Sequence, residues 1–216
     1  MSQGSPAAGR ALPENEVKQR LRQYGIPVPD FTVLSPRDSL DELEVSFPAV
    51  LKVCSPDIVH KTDVGGVRLG IPDWGELGSA VADFRQRFPG LPLLVEPLAP
   101  SGLEMIAGLT HDSQFGLAVM VGMGGVFTEI YRDVAFRLVP IEERDALDML
   151  EELRAHVLFE GFRGMTPDRK AVIRLLLTLS KMGLDYGPTL RQMDLNPVLV
   201  YEEGLMVVDA KLILGD

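Results

Sequence analysis

A chain of 216 residues can bury a substantial core and has room for one domain or two small lobes sharing a cleft, but not for a second large domain. With 46% apolar and 24% charged residues it has the balance of a soluble globular protein, which excludes a disordered or fibrous one. Thirty-one acidic against 21 basic side chains give a formal charge of −10, which excludes a general affinity for nucleic acid or an anionic membrane and makes any positive charge for an anionic ligand a local feature.

Residues 1–13 are small, polar and proline-punctuated and read as a mobile tail. Val17, Leu21 and Tyr24 recur at helical spacing, and with Asn15 as N-cap and Gly25 as stop they predict a short helix. Strands are predicted over 31–34 and 49–54 with a short helix between them, and again over 67–69 after the glycine turn at Gly65 and Gly66. The single cysteine, Cys54, ends an apolar run and has no internal partner, the pattern of a core thiol in a reducing cytoplasm. A helix over 73–88 carries Trp74, Leu77, Val81, Phe84 and Phe88 on one side, and a strand over 93–96 closes this half.

The second half opens with β-like runs at 103–109, 115–121 and 126–131 and a further candidate at 135–139, with the glycine loop Gly122-Met123-Gly124-Gly125 between the second and third. Helices are predicted over 141–156 and 167–182, the latter opening on Thr166-Pro167 in cap-plus-proline order. Two strands, 198–201 and 205–208, close the chain as a hairpin through Glu202-Glu203-Gly204. No apolar stretch approaches the roughly 18 to 20 residues that span a bilayer, and the first residues lack the order of a signal peptide. The expectation is a protein neither exported nor anchored.

Lys52 sits inside the apolar run Val50-Leu51-Lys52-Val53, where an ammonium needs either an anion or a route to solvent; it is a phosphate contact or an edge-strand lysine that snorkels out. The loop that follows holds His60, Lys61, Gly65 and Gly66, a set that can fold over a triphosphate with backbone amides and Lys61 as donors. His60 reads either as a surface residue or as a nucleophile toward phosphorus. Asp194-Leu195-Asn196-Pro197 and Asp209 place oxygen donors beside one another, suited to magnesium or merely to capping turns. Glu96 and Glu104 end one strand and start the next, facing a nucleoside or solvent. His111 and His156 lack metal-ligand spacing and read as structural, and the glycine loop lacks the Walker lysine and the dinucleotide fingerprint.

Taken in order, Tyr24-Gly25-Ile26-Pro27-Val28-Pro29, Lys52-Val53 with the loop through Gly65-Gly66-Val67, Gly102-Leu103-Glu104-Met105-Ile106, Gln114-Phe115-Gly116, Val121-Gly122-Met123-Gly124-Gly125-Val126-Phe127 and Asp194-Leu195-Asn196-Pro197 form one specific series. From about residue 14 to the end, the chain resembles the ATP-grasp domain of ADP-forming acyl-CoA synthetases, in particular the short beta subunit of acetate–CoA ligase. The resemblance implies an α+β fold of two lobes, 14–101 and 102–216, gripping ATP or ADP with Mg²⁺ between them. It implies Lys52 as the triphosphate lysine, beside the loop in which Lys61, Gly65 and Gly66 already read as phosphate-binding. Glu96 corresponds to the adenine-side hinge residue and Glu104 to the ribose contact. Asn196 and Asp209 correspond to magnesium ligands supported by Asp194, and His60 to a second histidine that relays phosphate.

The implied reaction converts an acyl-CoA, ADP and phosphate into the free acid, CoA and ATP through an acyl phosphate and a phosphohistidine. The principal phosphohistidine belongs to a CoA-binding alpha subunit, expected to dock near the glycine loop and Phe127. Asp112-Ser113 and Gln192-Met193 depart from the family's usual residues without removing a ligand. A stand-alone carboxylate–amine ligase would need an acceptor site for which no segment is left over. A non-catalytic regulatory module would be expected to have lost some of Lys52, His60, Asn196 and Asp209.

Overall fold

Leu12, Val17 and Leu21 are apolar anchors near the start of the chain, and in the computed structural model all three enter the larger of two hydrophobic cores. The structure describes residues 9–58, 61–112, 114–125, 133–161, 164 and 166–215. Part of the predicted tail is therefore a strand: β1 (Gly9–Ala11) pairs antiparallel with the last strand, β11 (Ala210–Gly215). Helix α1 (Glu14–Gln23) follows with Pro13, not Asn15, at its N-cap. Asn15 lies in the first turn, where its Oδ1 accepts from Cys54 Sγ at 3.2 Å. Cys54 itself is buried, as expected.

The smaller sheet is antiparallel and ordered β2-β5-β3-β4, from β2 (Thr32–Leu34), β3 (Ala49–Val53), β4 (Val67–Ile71) and β5 (Leu93–Pro97). No helix forms between β2 and β3: residues 35–48 are turns and loop. Leu40, Leu43, Val45 and Phe47 all pack on the smaller core, and that spacing cannot lie on one helical face. Helix α2 (Trp74–Arg87) covers the sheet, its N-cap Asp73 accepting from the Glu76 amide. Leu77, Val81 and Phe84 are buried as predicted, whereas Trp74, in the first turn, is half exposed and meets Phe47 edge to face at 5.2 Å.

The larger sheet runs β1-β11-β9-β6-β7-β8, built from β6 (Leu103–Asp112), β7 (Gly116–Met123), β8 (Val134–Leu138) and β9 (Leu190–Val200), with β10 (Leu205–Val207) also paired to β9. Helix α3 (Glu143–Glu152) is shorter than predicted and is followed by a 3₁₀ turn at His156–Glu160. Helix α4 (Arg169–Tyr186) is capped by Asp168 rather than Thr166 and packs on β6, β7 and β9. The strand predicted over 126–131 lies outside the described residues. Among those described, no helix is long and apolar enough to cross a membrane.

The largest difference concerns β9, which begins at Leu190, well before the predicted strand at 198. Its partner on one side changes from β11 to β10 around Pro197, and on the other side the register with β6 shifts between Met105 and Ala107. A proline inside a strand is tolerated at such an irregularity, so the apparent turn Asp194-Leu195-Asn196-Pro197 is part of a continuous strand. Gly108 of β6 faces Asp194 in this register, and a Cβ there would lie 2.2 Å from the Met193 carbonyl oxygen. Gly108→Ala is expected to push β6 and β9 apart and cost about 1–3 kcal/mol, read as a lower urea midpoint.

Candidate functional site

Helix α1 places residues 14, 17, 18 and 21 on one face, so Glu14 and Lys18 go inward with Val17 and Leu21. These two charged residues escaped the sequence reading. The available signal was a charge pair at i, i+4 inside an apolar stripe. Lys18 is fully buried, its Nζ 2.9 Å from Glu14 Oε1 and also donating to Glu96 Oε2.

Lys52 is on β3, an inner strand, which removes the edge-strand reading. Its Nζ donates to Glu14 Oε1 at 2.8 Å and to the Val208 carbonyl at 2.7 Å, and pairs with Glu96 Oε1 at 2.8 Å. Lys61, in the loop after β3, donates to Glu14 Oε2 and, at 2.9 Å, to Asp209 Oδ1. That loop is closed by the Gly66 amide donating to the Lys61 carbonyl at 2.6 Å and the Gly65 amide to Thr62 at 3.0 Å. Gly65 and Gly66 thus shape the segment that carries Lys61. Three ammoniums and three carboxylates, from α1, the smaller sheet, the loop after β3 and the residue before β11, form one largely buried network.

Burial alone would raise the Glu14 pKa, but Lys52, Lys18 and Lys61 outweigh it and hold the carboxyl well below its ordinary value. Burial likewise opposes the charge on Lys52, and Glu14, Asp209 and Glu96 reverse that effect and push its pKa up. Lys61 is raised in the same way, by Glu14 and Asp209 against burial. Burial raises Asp209, with Glu14 adding to it, and burial raises Asp194, with Asp209 adding to it. Lys211 opposes the rise at Asp194, and Lys52 and Lys61 oppose it at Asp209.

Two clefts meet at this network. One, of about 540 Å³, is lined by Glu14, Ser55, Lys61, Asp63, Asp194 and Lys211 among others. The second, of about 710 Å³, is lined by Lys52, Glu96, Glu104 and the 97–102 segment. Thr62, Asn196 and Asp209 line both, so they form the wall between the two spaces. Glu104 is exposed in the second cleft, and its carbonyl accepts from the Gly124 amide at 2.8 Å, which seats the glycine loop against it. Glu96 is buried with both carboxylate oxygens engaged by lysines.

The model of the ATP-grasp domain family matches residues 5–214. The chain belongs to the ATP-grasp family. This ATP-grasp chain is 40% identical to the beta subunit of acetate–CoA ligase [ADP-forming] II of Pyrococcus furiosus, over 96% of this chain and 94% of that one. It is also similar to the dinucleotide-forming acetyl-coenzyme A synthetase 1 of Ca. Korarchaeum cryptofilum, solved with coenzyme A and Ca-AMPCP. That match has a TM-score of 0.86 and 40% identity over 95% of this chain and 93% of the other. A second structure of that synthetase holds coenzyme A and Mg-AMPPCP, with a phosphohistidine segment pointing towards the nucleotide-binding site. It matches with a TM-score of 0.81 and 40% identity over 95% and 93% of the two chains.

Asn196 and Asp209 lie side by side in this ATP-grasp chain, the Asn196 amide donating to the Asp209 carbonyl at 3.1 Å. Among the described residues no group of three or more His, Cys, Asp or Glu stands ready for a metal. A few oxygen donors that leave most of the shell to water and phosphate suit Mg²⁺. His60 lies outside the described residues. His111 is exposed at the end of β6, and His156 Nδ1 lies 2.8 Å from the Leu153 carbonyl oxygen.

Proposed function

We propose that this ATP-grasp domain is the nucleotide-binding beta subunit of an ADP-forming acyl-CoA synthetase. In the proposed reaction an acyl-CoA, ADP and phosphate give the free acid, CoA and ATP, with phosphate carried on a histidine of a CoA-binding alpha partner in the cytoplasm. The observation that carries the reading is the convergence of Lys52 and Lys61 on Glu14, with Lys61 also on Asp209, at a wall shared by two clefts.

The larger cleft takes the nucleoside, with the 97–102 segment against the base and Glu104 at the ribose. Lys52 and Lys61 neutralise the phosphate oxygens, and the smaller cleft admits the partner's phosphohistidine from the opposite side. Asn196 and Asp209, with Asp194 behind them, would hold Mg²⁺, which supplies charge neutralisation of the phosphates when bound. Phosphoryl transfer asks the protein mainly for alignment and for cations at the transferring oxygens, which these side chains provide. His60, next to Lys61 in the chain, is proposed as the relay nucleophile.

Titration calorimetry of the purified chain with Mg-ADP and Mg-ATP tests this. Wild type is expected to bind both in a magnesium-dependent manner. Lys52→Ala removes a charged donor worth about 1.5–3 kcal/mol and is expected to weaken binding on the order of 10- to 100-fold. Asp209→Ala is expected to lose the magnesium dependence. Folded wild-type protein that binds neither nucleotide would overturn the reading.

A further inference from the structure

Two ammoniums intended for one polyphosphate have to be held at a set separation, and here they come from different elements, Lys52 from a strand and Lys61 from a loop. One carboxylate spans them: Glu14 Oε1 accepts from Lys52 at 2.8 Å, and Oε2 accepts from Lys61. The Glu14 side chain is 3% exposed, and Lys18, one helical turn on, clamps Oε1 at 2.9 Å while anchored on Glu96. Helix α1 is in turn fixed in the larger core through Val17 and Leu21. Glu14 is therefore held from both sides and is an acceptor that the two lysines share, while Lys52 is also held by Glu96 and the Val208 carbonyl and Lys61 by Asp209.

We infer that Glu14 is a positioning residue, setting the separation of Lys52 and Lys61 before nucleotide arrives. The inference rests on the reading of those lysines as phosphate contacts. The competing idea is that Glu14 is only a counter-ion that phosphate must displace. The two ideas predict opposite signs, because three ammoniums face three carboxylates in the network and removing the Glu14 charge leaves an excess of positive charge. A mere counter-ion, once neutralised, would let phosphate bind more tightly. A positioning residue, once neutralised, removes the link that fixes the separation of the two lysines, and binding weakens.

The experiment compares wild type, Glu14→Gln and Glu14→Asp in the full chain, with Mg-ADP affinity measured by calorimetry and adenosine affinity by NMR titration. Adenosine carries no phosphate, so it reports the nucleoside cleft alone. Glu14→Gln is expected to weaken Mg-ADP about tenfold with adenosine unchanged. Glu14→Asp keeps the charge but shortens the reach, and should weaken Mg-ADP about threefold, again with adenosine unchanged; it remains informative if the glutamine variant does not fold. Unchanged or tighter Mg-ADP binding in the variants, or equal loss of both ligands, would overturn the inference. Lys52→Ala in the same series separates the two readings. If it binds Mg-ADP like wild type, the phosphate-lysine reading itself fails; if it loses binding while the Glu14 variants do not, only the positioning role fails.

Discussion

Replacing Lys18 by methionine is expected to lower folding stability by about 3–5 kcal/mol, the cost of removing one partner from a buried ion pair. Methionine fits the space and the helix, so lost packing contributes little. The damage comes from the carboxylates. Glu14 and Glu96 are 5% and 2% exposed, and without Lys18 three carboxylates would share only Lys52 and Lys61. Urea denaturation should show the midpoint falling with an unchanged slope. The double variant Lys18→Met with Glu96→Gln removes one of the stranded charges and should recover part of the loss. A single variant as stable as wild type would mean that Lys52 and Lys61 suffice for both glutamates.

Acid is expected to weaken the fold through Glu14, with a sign that follows from its depressed pKa. A carboxyl whose folded pKa lies below its unfolded value stabilises the fold above the unfolded value and loses that contribution as pH falls through the folded one. The unfolded value is near 4.5, so the loss begins below that pH and grows by about 1.4 kcal/mol per unit while the folded protein still holds the charge. Asp194 and Asp209 act in the opposite sense. Their raised folded pKa values make a contribution that is present at low pH and lost as pH rises through them. Comparing wild type with Glu14→Gln across about pH 2–7 isolates the Glu14 contribution, and the variant should have the shallower acid limb. Parallel curves below pH 4.5 would show that Glu14 does not keep its charge in the folded state.

Where local pattern and final environment agree, the elements were legible from the residues. Leu77, Val81 and Phe84 mark the buried face of α2, and β3, β5 and β6 sit where their apolar runs place them. The pattern misled where a residue answers to a distant partner. Gly9 to Ala11 look like tail until β11 pairs with them, and Pro197 looks like a strand end until the shift in β6 and the exchange of β11 for β10 accommodate it. The residues between β2 and β3 are polar enough to suggest a surface helix, but four apolar anchors tie them to the smaller core at non-helical spacing.

The site divides along the same line. Lys52, Lys61, Asn196 and Asp209 could be named from the chain because each is a chemically marked residue in a recognisable local segment, and the ordered segments carry the family assignment across residues 5–214. Sequence order alone also determined the α+β alternation and the two groups of strands, since hydrophobic periodicity is a local property. Only the tertiary structure decided that Lys52 lies on an inner strand, that Glu96 gives both its oxygens to lysines, and that Glu14 and Lys18 join the same ion-pair network. The reason is physical: a charge inside an apolar stripe is neutral information until its counter-charges are located, and here they arrive from residues 38 to 78 positions away in the chain.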